Sequence, residues 1–165
     1  MALGRINTSC VYLDMELDLE PFWVVDPDGT QHWYSDAFHQ DHHRVDGPAF
    51  IGVNGHQEWW VKGRRHCLSG PAVIFADGTE EWYVDGLAHR VDGAAYMGAD
   101  GNRVWYVNGI IHRIDGPAIV YLSNEYEWYI NGELVSTEVE AWMEARGVTW
   151  PWDESTQVEF VLTWS

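Results

Sequence analysis

Positive charge is what this chain lacks most. Nine Lys plus Arg stand against 26 Asp plus Glu, a formal net charge of −17 in 165 residues. Such a balance repels phosphate at every approach, so nucleic acid and anionic membrane are poor partners, and a basic protein is a good one. Cysteine is scarce as well. Cys10 and Cys67 show no metal-type spacing, and two are too few for a disulfide framework. Residues 1–9 hold no apolar stretch of signal-peptide length, and no apolar run approaches the ~20 residues that span a bilayer. These absences predict a soluble chain in a reducing compartment, the cytoplasm. Catalytic signatures are missing too. There is no Gly-x-Ser-x-Gly elbow, and the Asp-Gly turns lack the helix N-terminus that a phosphate-cradling loop requires.

What is present is a period. Trp59, Trp82, Trp105 and Trp128 recur every 23 residues, with Gly63, Gly86, Gly109 and Gly132 four residues after each. His43, His66, His89 and His112 keep the same step, as do Gly47, Gly70, Gly93 and Gly116. A period of this size marks stacked supersecondary units, none of which buries its apolar face alone. The units run Asp28–Val53, Asn54–Ala76, Asp77–Ala99 and Asp100–Leu122, with a half unit at Ser123–Val135. The chain has eleven Trp. Trp33 and Trp60 join the four periodic ones in this frame, so most of the aromatic excess is repeat chemistry.

Trp-Tyr-Val segments between Asn-Gly or Asp-Gly pairs read as strands with tight turns. The Gly-Pro-Ala segment opens a second strand, since proline is tolerated at a strand's first residue. The spacing therefore predicts two strands per unit in an elongated antiparallel β-ribbon, all-β in class. Strands run through the four Trp, with those rings on one face. Residues 10–27 read as an acidic N-terminal hairpin. Val11, Leu13, Met15, Leu17 and Leu19 alternate there with Tyr12, Asp14, Glu16, Asp18 and Glu20, and a strand at Pro21–Val25 follows. Residues 136–165 read as a cap within one domain of 1–165. Thr137 and Glu140 form a capping-box pattern for a helix at Glu138–Arg146, with Gly147 as its stop. Alternation in Gln157–Trp164 favours a strand, while Asp153 and its polar turn could equally start a helix.

The fuller motif, Trp-Tyr-x-Asn/Asp-Gly-x-x-His-Arg-x-Asp-Gly-Pro-Ala, resembles the MORN repeat. It is similar to a MORN-related variant of tailed-phage proteins and to YwqK-type antitoxin repeats. The resemblance covers residues 28–135. Its fullest copies are His89–Gly93 and His112–Ala118, while unit two has Cys67 for Arg and Ser69 for Asp, and unit three has Ala94 for Pro. It implies a scaffold encoded by a phage or bacterium, acting in the host cytoplasm if phage-borne.

Candidate chemistry divides into scaffold and surface. Successive His of the column would stand roughly 10 Å apart, too far to share one ion at about 2.0–2.1 Å each. His66, His89 and His112 are thus expected to be structural, as are Trp59, Trp82, Trp105 and Trp128. Unit one is three residues longer than the rest, and in the stretch that carries the extra length Asp36, His39, Asp41, His42 and His43 fall within eight residues. An irregular binding loop is expected there, and no metal or cofactor is assigned. The second candidate surface is the acidic strand, Asp14, Glu16, Asp18 and Glu20. Its carboxylates, every ~6.8 Å, approximate phosphate spacing and could occupy a basic host enzyme; a charged edge strand kept soluble is the plainer reading. Aromatic ladders also bind sugars or choline-like groups. The expectation is a non-enzymatic protein–protein interaction module, an acidic inhibitor of a host defence protein in its sharper form. A carbohydrate-binding or virion-associated module is the alternative.

Overall fold

A computed structural model describes residues 22–164. They fall into two compact units, divided between Ala88 and His89, and both are built mainly of short antiparallel strands. In the first, strands Phe22–Val25, Gln31–Tyr34, Phe50–Ile51, Gln57–Glu58, Val73–Ile74 and Glu80–Glu81 pair in that order. In the second, Tyr96–Met97, Arg103–Val104, Ile119–Val120 and Tyr126–Glu127 do the same. Hairpins branch from these sheets at the repeat period: Trp60–Val61 with Arg64–Arg65, and Tyr83–Val84 with Leu87–Ala88, in the first unit. Tyr106–Val107 with Ile110–Ile111, and Tyr129–Ile130 with Glu133–Leu134, do so in the second. The hairpin-repeat, mainly β architecture with a helical cap is therefore as the period predicts.

The strands do not run through the periodic Trp. Units two, three and four each hold four two-residue strands rather than two longer ones, and Trp59, Trp82, Trp105 and Trp128 lie at the break between sheet and hairpin. Hydrogen bonding explains the break. A residue inside an antiparallel pair exchanges its N–H and C=O with one strand. The Trp59 N–H instead donates to Ala72 at 2.8 Å, while its carbonyl accepts from His66 at 3.0 Å. Trp105 is split likewise between Ala118 and His112. The tight turn folds the chain back soon enough to claim the Trp carbonyl from the sheet.

Those turns need two successive residues at positive φ, which suits Asn-Gly and Asp-Gly. Asp85, Asn108 and Asn131 stand at φ 50°, 51° and 51°, and Lys62 occupies the same place at 48°. Lysine is the misfit, because its Cβ crowds the backbone there.

The His-Arg-x-Asp-Gly-Pro-Ala element folds around its arginine. Arg113 donates from Nε to Asp115 at 2.6 Å and from Nη1 to the Pro117 carbonyl at 3.1 Å, and its guanidinium lies 4.0 Å from the Trp105 ring centre. Arg44 repeats this with Asp46, Pro48 and Trp33, and Arg90 with Asp92 and the Ala94 carbonyl. A Cβ on Gly47 or Gly93 would come within 3.0 Å of that guanidinium, which is why glycine follows the Asp. Unit two replaces the arginine by Cys67, which is buried with Trp59 and Ala72 in a small apolar core.

The cap consists of helix α1 (Ser136–Arg146) and helix α2 (Glu154–Trp164). The expected capping box does not form. Helix α1 begins two residues early, because Val135 donates to the Trp128 carbonyl and Ser136 Oγ accepts the Trp128 N–H; Val135 is its N-cap, without a side-chain bond. Gly147 ends it at φ 65° as expected. The strand favoured for Gln157–Trp164 is a helix. Asp153 Oδ1 accepts the Thr156 N–H at 2.8 Å, which caps the helix. Phe160 is fully buried, while Val158 and Leu162, two of the alternating residues, are exposed. Trp128, Ile130, Val139, Trp142, Met143 and Phe160 form one core, with Trp150, Trp152 and Trp164 packed on it.

Two stability measurements follow from this packing. Trp128→Ala should cost roughly 3–5 kcal/mol, since that ring is fully buried whereas Trp105 is only partly so. Lys62→Asn should stabilise by about 1 kcal/mol, because asparagine tolerates the left-handed region. Denaturant unfolding that shows a smaller loss for Trp128→Ala than for Trp105→Ala, or no gain for Lys62→Asn, contradicts these assignments.

Candidate functional site

The histidine column is scaffold at atomic level. His43 Nδ1 accepts the Lys62 N–H at 3.1 Å, and His66, His89 and His112 accept those of Asp85, Asn108 and Asn131 at 3.1, 3.1 and 3.0 Å. Each donor is the first positive-φ residue of a turn, 19 residues downstream. At His43, His89 and His112 the partner is an N–H, so Nδ1 accepts; His66 Nδ1 also lies 3.1 Å from the Asp85 carboxylate. Among the described residues no three His, Cys, Asp or Glu converge to hold a metal ion.

The loop of unit one is different: His42 turns in to the sheet, while His39 is exposed. His42 bridges to Tyr34, and its Nε2 lies 3.0 Å from His32 Nδ1; His32 Nε2 lies 3.2 Å from Asp26. The His42 ring also packs against Tyr34 and Trp60, with centroids at 4.7 and 5.6 Å. His39, at φ 57°, stacks on Tyr34 at 4.7 Å and meets Phe22 at 5.0 Å. Asp36 and Asp41 do not join this cluster. The Asp36 carboxylate accepts the Phe38 N–H, shaping the turn, and the Asp41 carbonyl accepts the Ser35 N–H. Burial holds the His42 pKa below the usual imidazole value, reinforced by His32 and opposed by Glu58.

Next to the loop, Glu58 collects three donors. His56 lies at 2.6 Å from Oε1, while Trp60 Nε1 and Arg65 Nε reach Oε2 at 2.8 and 3.0 Å. Burial pushes the Glu58 pKa up, but the bonds from His56, Arg65 and Trp60 outweigh it and hold the carboxyl below its usual range. The Arg65 guanidinium sits between two aromatic rings, 5.3 Å from the Trp60 centre and 5.5 Å from that of Tyr83.

The acidic strand residues Asp14, Glu16, Asp18 and Glu20 lie outside the described residues. His32, Asp26 and Glu58 are absent from the sequence-derived candidates, because no spacing rule links a loop histidine to one ten residues back across a sheet. The period did hold one signal, the substitution of Arg65 where the other units have Ala88 and Ile111.

Charge is unevenly used. Arg44, Arg65, Arg90, Arg113 and Arg146 pair internally with Asp46, Glu58, Asp92, Asp115 and Glu159. Asp28 and Asp77 are exposed at turns, held below the usual carboxylate range by the N–H groups of Thr30 and Thr79. No helix among the described residues is long and apolar enough to cross a membrane. No protein-family model matches the chain, and no curated protein sequence matches it.

The sign of the His42 effect is fixed by its depressed folded pKa. The folded state takes the proton less readily than the unfolded state, so this contribution is whole above about pH 6.5 and is lost as pH falls through the folded value. Unfolding of wild type and His42→Gln at pH 7.5 and 5.5 measures it. Wild type should lose more stability than the variant; equal losses would remove His42 as the source.

Proposed function

We propose that the chain is a MORN-like, non-enzymatic interaction module whose partner is a basic protein. The carrying observation is the partition of charge. The described ion pairs engage five arginines with the scaffold's own carboxylates, in a chain whose formal net charge is −17. A surface of that kind steers a cationic partner and repels phosphate. The histidines and tryptophans of the period serve the scaffold, so they leave the turns, the loop of unit one and the N-terminal acidic segment to make contact. In its sharper form, supported by the resemblance to phage and antitoxin repeats, the partner is a host defence protein met in the cytoplasm.

Affinity capture from a bacterial lysate, followed by association kinetics at low and high salt, tests the reading. The captured protein should be basic, and its on-rate should fall as salt rises. Replacing Asp14, Glu16, Asp18 and Glu20 by Asn or Gln should slow association at low salt and flatten the salt dependence. A partner bound at a salt-independent rate would remove charge as the basis of recognition. Capture by a glycan, blocked by free sugar, would favour the carbohydrate-binding alternative.

A further inference from the structure

One repeat position carries a built site for a guanidinium, and the chain fills it with its own arginine at one copy. Glu58, Glu81 and Glu127 are equivalent in the 23-residue frame, as are Trp60, Tyr83 and Tyr129, and Arg65, Ala88 and Leu134. At the first copy Arg65 stands directly opposite Trp60 in the hairpin and bonds Glu58 at 3.0 Å. The same guanidinium reaches Tyr83, whose hydroxyl donates to Glu81 at 3.0 Å. Arg65 therefore bonds the carboxylate of one copy and lies by the ring of the next.

At Glu127 the carboxylate and the aromatic residue two positions on, Tyr129, are kept, while the position of Tyr83 is taken by Trp152 of the cap. The Tyr121 hydroxyl donates to Glu127 Oε1 at 3.2 Å, and Tyr129 follows Glu127 by two residues, as Trp60 follows Glu58. Leu134 stands directly opposite Tyr129 in the register that places Arg65 opposite Trp60. It is 56% exposed and supplies no charge. None of the described ion pairs reaches Glu127. All three receptor residues are partly open to solvent.

We propose that Glu127 and Tyr129, with Tyr121 bonded to the carboxylate, form a docking site for an arginine side chain of the basic partner, in the manner in which Glu58 and Trp60 hold Arg65. This deepens the reading above and rests on it for the partner's identity. A planar guanidinium can lie over a phenol ring while bonding a carboxylate, which a lysine ammonium does less well. The site therefore prefers arginine over lysine.

The probe is the blocked tripeptide acetyl-Gly-Arg-Gly-amide, with its lysine counterpart, titrated into the full chain and followed by NMR of the Tyr and Glu side chains. The arginine peptide should shift Tyr121, Tyr129 and Glu127 saturably, and the lysine peptide should bind more weakly. Glu127→Gln should weaken arginine binding about tenfold, the loss of a charged hydrogen-bond partner. Leu134→Arg should fill the site from within: it should raise the melting temperature and abolish peptide binding, while Leu134→Gln leaves binding intact. Leu134 is exposed, so neither change threatens folding. Absence of binding, or equal binding by wild type, Glu127→Gln and Leu134→Arg, would overturn the site. A captured basic partner that binds Leu134→Arg as well as wild type would overturn its use while leaving the basic-partner reading in place. Arginine binding here, with only non-basic proteins captured, would do the reverse.

Discussion

The backbone of each periodic Trp is shared between two partners, and the rest of the repeat follows from that division. Its N–H belongs to the sheet and its carbonyl to the hairpin, as with Trp59 between Ala72 and His66. The chain must therefore change direction at the Trp, and the residues around it are committed in turn. The His that donates to the Trp carbonyl accepts, through Nδ1, a turn N–H 19 residues on: His66 from Asp85 in the first unit, His112 from Asn131 in the second. That turn N–H can be presented only where the residue adopts positive φ. Asn-Gly, His and Trp thus recur together because each satisfies a backbone group left over by the other.

The arginine of the motif closes the other side. It covers the Trp ring, bonds the Asp two residues on, and takes the carbonyl of the Gly-Pro-Ala turn. One guanidinium thereby joins a ring, a charge and a backbone acceptor. Exposed ion pairs of this sort contribute little to stability by themselves; their value here is to fix the turn that starts the next strand. A consequence is electrostatic. Arginines engaged in this way leave the carboxylates elsewhere on the surface as the molecule's outward charge.

Much of the scaffold was readable from spacing, including the hairpin turns at Asn-Gly and Asp-Gly and the stop of α1 at Gly147, but not the break of each strand at its Trp. The start of that helix was not, because Ser136 is claimed by a backbone group at Trp128, eight residues away. Nor was α2, whose apolar residues fit a strand equally well until Phe160 finds the core. The loop cluster shows the same limit. Asp36, His39, Asp41 and His42 looked alike as a dense patch of ligating side chains. Folding sends His42 to His32, stacks His39 on Tyr34, and spends Asp36 on its own turn.

The sequence by itself determined the repeat, its period, its turn chemistry and the excess of negative charge, because each is a property of residue type at fixed spacing. The tertiary structure alone decided where each strand breaks, which carboxylate receives a guanidinium, and which histidines meet. Those outcomes depend on hydrogen-bond partners from different strands, and competition for a backbone carbonyl or a carboxylate oxygen is resolved only when the strands are in register.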